Sequence, residues 1–311
     1  MRVFKELNEL PLFNNAVITI GTFDGVHKGH QKLIARINAL ATQKGGESLI
    51  VTFHPHPRLV INPQDTSLKL LNTIEEKIAL LTAYHVHNVV VVPFSRHFSD
   101  LSPETYITNF LVKNFHPACI VIGYDHKFGK DRVGDISLLH RLGASYGYAV
   151  EEISKESIDD MAISSTKIRE ALQEGNIATA TELLGHGYTL SGLVVKGFQN
   201  GRKLGYPTAN IQVKDPNKLI PKTGIYAVKV SYGKQVYKGM LSIGYNPTFE
   251  GKEQTIEVNI LDFDKDIYGE DLSIEFIAYI RDEKKFDDLP SLIAAIDADK
   301  IAAESLVSIT P

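Results

Sequence analysis

Short β-branched runs alternate with longer helical stretches through the first half of this chain, and a polypeptide patterned in that way has few means of burying its apolar residues. Strand-like runs fall at residues 16–20, 48–53, 88–92, 118–122 and 148–153. Between them, helical spacing covers 29–42, 74–84, 103–114 and 135–146. Five strands separated by helical crossovers predict a parallel, doubly wound, Rossmann-like α/β sheet, with ligands at the carboxyl ends of its strands.

The pattern changes after helical segments at 166–173 and 177–184, where Gly185, Gly187 and Gly192 punctuate the chain. Beyond them, runs at 190–195, 224–231, 235–243, 255–261 and 272–280 are joined by Gly, Pro, Asn and Asp turns without helical crossovers. That predicts an antiparallel Greek-key barrel, with a helix at 289–306 packed upon it. The expected division is an α/β domain of residues 1–185 and a β domain of 186–311. A chain of 311 residues is long enough for two cores.

Composition narrows the function classes. Hydrophobic content of 43% and charged content of 23% are globular values. A net charge of -4 provides no global footprint for nucleic acid or anionic membrane. The longest apolar runs, 89–93 and 119–122, are too short to span a bilayer. Lys5, Glu6 and Glu9 stand where a secretory signal would carry its apolar core, so the expectation is a cytoplasmic protein. The single cysteine, Cys119, lies in an apolar run and reads as a buried strand residue.

The first chemical signal is the segment from Gly21 through Thr22, Phe23, Asp24, Gly25, Val26, His27, Lys28 and Gly29 to His30, between the first strand and the first helix. Gly25 and Gly29 allow a tight turn close to a ligand, and a helix start presents unpaired N–H groups that favour phosphate. His27 and His30 project to one side and can both donate to phosphoryl oxygens, with zinc binding as the rival reading. Further on, Ser164, Ser165 and Thr166 open a helix and Arg169 follows one turn in. That is a phosphate clamp or merely a helix cap.

The histidine segment resembles the HxGH signature of nucleotidyltransferases, and the longer string GTFDGVHKGHQKL is similar to the adenylyltransferase module of bacterial FAD synthetases. Phe53-His54-Pro55-His56-Pro57, the Gly123–Gly129 segment containing Asp125 and Phe128, and the Ser164–Arg169 segment follow in the family's order. The resemblance implies that Gly21, Phe23, Asp24, Gly25, His27, Gly29 and His30 bind ATP, together with Ser164, Ser165, Thr166 and Arg169. It implies that Phe53, His54, Pro55, Asp125 and Phe128 meet the flavin nucleotide, and that an FMN phosphate oxygen attacks the α-phosphorus of ATP. His27, His30 and Arg169 would carry the charge neutralisation. The His54-Pro55-His56 sequence could bind a metal, but the preferred reading is a proline-shaped loop. His126 and Lys127 depart from the residues of many relatives, which leaves their local contacts open.

The second signal is Gly201-Arg202-Lys203-Leu204-Gly205-Tyr206-Pro207-Thr208-Ala209-Asn210, a glycine-rich basic loop entering a proline turn. In an extended segment Thr208 and Asn210 face one side, a hydroxyl and an amide suited to Mg²⁺ or simply to solvent. The PTAN core resembles the signature of riboflavin kinases, and no Walker-type phosphate loop occurs. The resemblance implies that Gly201, Arg202, Gly205, Thr208 and Asn210 bind ATP, with Thr208 and Asn210 on its magnesium. It implies that Glu257 is the catalytic carboxylate and that Arg281 and Phe286 border the flavin. Alternation alone leaves Glu257 free to be an exposed residue on the outer barrel face. An ordinary carboxylate is a weak base toward an alcohol, so its expected role is to orient the riboflavin 5′-hydroxyl and take the proton late.

Taken over nearly the whole chain, the resemblance implies a bifunctional flavin-nucleotide enzyme. Riboflavin and ATP give FMN and ADP in the second domain, and FMN and a second ATP give FAD and pyrophosphate in the first. No membrane or nucleic-acid partner is expected, and the chain is expected to act as a monomer or weak homo-oligomer. The alternative keeps only the kinase, with a flavin-nucleotide-binding or nucleic-acid-regulatory first domain. The presence of His27, His30 and Arg169 opposes a silent first domain, and the lack of a basic helix opposes a regulator.

Overall fold

The structure is a computed structural model that describes residues 1–154, 163–197, 201, 205–248 and 251–309, except the side chains of 246–248 and 251–253. It divides into two compact units. One comprises residues 1–70 and 74–164, the other 71–73 and 165–311.

The first unit is built on six parallel strands, β1 (Arg2–Phe4), β2 (Val17–Ile20), β3 (Ser48–His54), β4 (Asn88–Pro93), β5 (Cys119–Gly123) and β6 (Ala149–Ile153). Their spatial order is β1-β4-β3-β2-β5-β6. Successive residues feed opposite faces. Ile18, Leu49, Val51, Val90, Ile120 and Ile122 enter one apolar cluster, whereas Val17, Ile50, Val89, Cys119 and Val121 enter the other. Burial on both faces explains why these strands read as continuous apolar runs. Helices α1 (Lys28–Gln43) and α2 (Ile74–Ala83) supply Ile34, Ile37, Leu40 and Leu81 to the second cluster. On the other face lie α3 (Ile136–Tyr146) and a helical stretch from Pro103 to Phe115 that passes through a π-type segment, Tyr106–Val112.

The sheet contains one strand more than the five expected. Strand β1 pairs in parallel with β4 at the edge, but only three residues long and with Val3 38% exposed it carries no apolar periodicity. Chain direction across the sheet reverses between β2 and β5, which are neighbours despite the two intervening strands. Such a switch point opens a crevice at the carboxyl ends of the strands.

The second unit is a closed barrel of β7 (Tyr188–Val195), β8 (Ala209–Gln212), β9 (Gly224–Tyr232), β10 (Gln235–Thr248), β11 (Gly251–Ile260) and β12 (Asp271–Arg281), in the order β10-β11-β8-β7-β12-β9. All of its pairings are antiparallel. Leu190, Val228, Val230, Leu241, Val258 and Ile274 are fully buried. The sixth strand, β8, is four residues long and lies inside the segment where only the polar Thr208 and Asn210 had suggested an extended chain. Helices α4 (Ser165–Glu174) and α5 (Ile177–Leu184) precede the barrel, and α6 (Leu289–Leu306) follows it, placing Ile296, Ala303 and Val307 beside Ala227 and Met240.

By compactness α4 and α5 group with the barrel, the chain passing from one unit to the other at 164/165. Helix α4 is tied to the barrel side by Lys222, whose backbone N–H donates to the Leu172 carbonyl, and Gly175 lies against the Tyr279 ring. Residues 71–73 also join this unit, where the Lys218 ammonium donates to the Leu71 and Thr189 carbonyls at 2.7 and 2.6 Å. Among the described residues, no helix is long and apolar enough to cross a membrane.

Candidate active sites

In the first unit the turn after β2 runs into α1 beside the switch point. His27 caps the helix: its Nδ1 accepts the His30 backbone N–H at 3.4 Å. A neutral His27 that accepts at Nδ1 carries its proton on Nε2, which makes Nε2 a donor. The two imidazoles stack with centroids 3.7 Å apart, and Phe23 packs 4.9 Å from His30 on another side. Burial, reinforced by His27 and Lys77, holds the His30 imidazole well below the ordinary histidine pKa. Its Nδ1 is buried without a hydrogen-bond partner. Two stacked imidazoles thus stand at a helix N-terminus, with His30 kept neutral by burial.

Asp24 is buried, and so is the whole Phe23 side chain, which belongs to the apolar cluster beneath the sheet. Phe23 can offer a nucleotide its backbone but not its ring. Gly21 donates to the Val51 carbonyl, and Gly25 takes φ 85. Phe53 and Phe128 fall within one aromatic cluster that includes Phe94, Phe98, Tyr106 and Phe110. Phe128 is stacked on Tyr106 and only 5% exposed, so it underlies a crevice rather than lining one. His54 and Pro55 are exposed after β3, and His56 is occupied as the cap of the short helix Pro57–Ile61, accepting the Arg58 N–H. Asp125 is exposed on the turn after β5. Ser164 ends the first unit as described, while Ser165, Thr166 and Arg169 belong to α4 in the second.

Burial likewise drives the neighbouring His126 down to about 4, with Asp125 opposing it. Both depressed histidines give the folded protein fewer bound protons than the unfolded chain at acid pH. Their contribution to stability is thus complete above the ordinary value of 6.5 and, for His126, is lost as pH falls from there to about 4. Thermal melts at pH 7.5, 6 and 5 are expected to show a falling midpoint across that window.

In the second unit, a cavity of about 280 Å³ is lined by Gly201, Thr208, Glu257, Arg281 and Phe286, all of them predicted site residues. Ile256 and Val258 are buried in the barrel, so Glu257 and Asn259 project to its opposite face, beneath α6. Thr208 Oγ1 donates to Glu257 Oε2 at 2.9 Å. Asn210 is the register partner of Glu257 on β8, and its amide lies against Gly197, where a Cβ would come within 2.1 Å of Nδ2. A hydroxyl and a carboxylate thus meet at the cavity as hard oxygen donors, chemistry that suits a magnesium ion, with Asn210 beside Glu257 in register. Gly205 adopts φ 85 in the loop, and Arg202 lies outside the described residues.

The structure adds residues for which no local signal existed. Asn259 donates to the Pro207 carbonyl at 2.7 Å, fixing the turn before Thr208. Arg281 is gripped by Asp299 of α6 through Nε at 2.8 Å and Nη2 at 2.6 Å, and its guanidinium lies 5.8 Å from the Phe286 ring centre. Asp299 is 4% exposed on the helix expected only to supply apolar packing. Removing it leaves a largely enclosed guanidinium without its partner. Asp299→Ala is expected to destabilise the barrel by about 1–3 kcal/mol and to weaken riboflavin use, read by thermal melts and kinase assays.

Comparison with known proteins assigns these two sites to a class. The family model for FAD synthetase matches residues 11–167 and that for riboflavin kinase matches 184–307. A bifunctional riboflavin kinase/FMN adenylyltransferase from Listeria monocytogenes is 40% identical, covering 92% of this chain and 90% of its own. Its counterpart from Bacillus subtilis is 36% identical with the same coverage, 92% and 90%. A crystal structure described as a macrolide-efflux protein from Streptococcus pneumoniae superposes with a TM-score of 0.86 at 32% identity, over 97% of this chain and 98% of that one. The chain belongs to the bifunctional riboflavin kinase/FMN adenylyltransferase family. It phosphorylates riboflavin to FMN and adenylylates FMN to FAD, the kinase in its carboxy-terminal part and the adenylyltransferase in its amino-terminal part.

Proposed function

We propose that Glu257 is the group that orients and finally deprotonates riboflavin in the kinase site, and that His27 and His30 are the phosphoryl-binding donors of the adenylyltransferase site. The observation that carries the first assignment is the Thr208–Glu257 hydrogen bond at the cavity. It brings a carboxylate suited to a substrate hydroxyl into contact with the polar residue suited to the nucleotide's metal. The 5′-oxygen of riboflavin attacks the γ-phosphorus of ATP, ADP leaves, and the proton passes to Glu257. Magnesium bound with ATP lowers the charge of the phosphates, and Thr208 and Asn210 would hold it. Gly201 and Gly205 contact the same nucleotide, and Arg202 is the basic residue expected between them. Arg281, fixed by Asp299, and Phe286 border the isoalloxazine.

In the adenylyltransferase site the nucleophile is an FMN phosphate oxygen, already anionic, so no base is required. It attacks the α-phosphorus, the α–β bond breaks, and pyrophosphate leaves. The work that remains is positioning and charge neutralisation, which His27, His30 and the N-terminus of α1 supply. Ser164 and the Gly21–Gly29 turn complete the nucleotide contacts within this unit, with Asp24 behind the turn. His54, Pro55 and Asp125 form the FMN side, with Phe53 and Phe128 packed beneath it. Both reactions belong in the cytoplasm, where ATP is supplied.

Chromatography tests the scheme directly, with riboflavin, ATP and Mg²⁺ in one tube and FMN, ATP and Mg²⁺ in another. FMN with ADP is expected from the first and FAD with pyrophosphate from the second. Zinc in place of magnesium as the required ion would overturn the reading of the histidine pair as phosphate donors.

A further inference from the structure

Two lysines are buried among the described residues, Lys218 and Lys77. Lys218 is engaged in the second unit by two carbonyls and the Tyr188 ring. Lys77 is different because of what it holds. From α2 its ammonium donates at 2.6 Å to the carbonyl of Thr22, inside the turn that leads to His27 and His30. The backbone there is strained: Phe23 and Val26 take φ values of 48 and 39, on either side of Asp24 and of Gly25 at φ 85. A β-branched residue in the left-handed region persists only where its surroundings dictate it. Three side chains brace this turn, namely Lys77, Thr52 through Oγ1 to the same Thr22 carbonyl at 3.2 Å, and Gln31 to the Val26 carbonyl at 2.9 Å.

A neutral donor is enough for Thr52, yet Lys77 brings a charge into an enclosed place. Burial pushes its ammonium down to about 8, with Asp24 opposing the shift. A lysine whose folded value lies below its unfolded one lowers stability as pH falls from 10.5 to about 8, and the loss is complete at neutral pH. The cation is therefore retained against stability. Its charged surroundings are the buried Asp24 on the turn, which acts on it, and His30, on which its own field acts. Buried charge held at such a cost is characteristic of a site that must receive charge of the opposite sign.

We propose that Lys77 is a positioning residue for adenylyl transfer, holding the Gly21–Val26 turn in its phosphate-binding shape and placing a fixed positive charge behind the histidine pair. This rests on the reading of that turn as the ATP-phosphate site. The nucleotide's anionic phosphates compensate the enclosed ammonium, so Lys77 acts through the turn and through His30 without reaching the reacting atoms.

The test uses the full chain with Lys77→Met, Lys77→Gln and, as a control on the underlying reading, His30→Ala. FAD formation from FMN is followed over a range of ATP concentrations, and melting by circular dichroism. Riboflavin phosphorylation by the same chain reports the amount of active protein. The expected result for Lys77→Met is a loss of at least 30-fold in kcat/KM for ATP in FAD formation, with a melting temperature unchanged or raised. A purely structural lysine would instead lose stability and activity together, and that result overturns the proposal. So does FAD formation within threefold of the parent chain. Lys77→Gln, which keeps a polar donor without the charge, decides the matter if the methionine variant does not fold: a loss of tenfold or more supports the charge, and full activity rejects it. If His30→Ala also left FAD formation intact, the phosphate-site reading itself would fail; loss there with an active Lys77→Met would reject only the role of Lys77.

Discussion

Glu257→Gln is expected to reduce FMN formation from riboflavin by about 10²–10⁴-fold, the usual contribution of a positioned proton acceptor. FAD formation from supplied FMN continues at the parent rate. The substitution is nearly isosteric, and the glutamine oxygen can still accept from Thr208 Oγ1, which now donates to Glu257 at 2.9 Å. The barrel position is also preserved, because Ile256 and Val258 on either side are held by the core rather than by the carboxylate. The loss is thus specific to the proton acceptor and should appear in kcat, with the melting temperature unmoved. Chromatography of FMN and ADP measures it. Retention of the kinase rate would return Glu257 to the reading of an ordinary polar residue on the outer barrel face.

How much of this was legible in the sequence depends on whether the signal was local. Strands β2 to β5 could be read within a residue or two because burial on two faces demands uninterrupted apolar runs, as in 88–93. Strand β1 could not, since three residues at an exposed edge acquire strand character only from pairing with β4. Strand β8 was hidden for a related reason: its short sequence of Ala209, Asn210, Ile211 and Gln212 is organised by the register with β7 and β11. The grouping of α4 and α5 with the barrel had no local signal, because they look like any helices that end an α/β domain. Only the contacts of Leu172 and Gly175 with Lys222 and Tyr279 reveal where they belong.

The sites divide along the same line. His27, His30, Thr208 and Glu257 lie in strings that resemble family signatures, and the structure gathers each pair within its unit. Asp299 and Lys77 carry no such string. Asp299 lies on a helix whose apolar spacing concealed it, 18 residues from Arg281, and Lys77 follows a glutamate in what reads as a solvated helix turn. Their roles come from enclosure, which no residue spacing records. Phe23 and Phe128 illustrate the converse. They belong to recognisable segments, yet their rings are spent on the core.

His30→Ala provides the reciprocal result, a fall of about 10²–10³-fold in FAD formation from FMN, of the size seen when one preorganised donor to developing charge is removed. FMN formation from riboflavin is unaffected. His30 is packed against Phe23 and stacked on His27, so truncation leaves a gap within the turn as well as removing a donor. The two effects separate with His30→Asn, which returns a polar N–H without the imidazole and should recover part of the rate. Stability responds in the opposite sense at low pH. His30 remains neutral in the fold because burial opposes its protonation, so unfolding below pH 6.5 is favoured by the proton it gains. An alanine at position 30 removes that part of the acid sensitivity even while it removes activity. Loss of FAD formation accompanied by a flatter dependence of melting temperature on pH would identify His30 as a buried neutral donor; loss of both reactions together, with the fold intact, would rule out two separate sites.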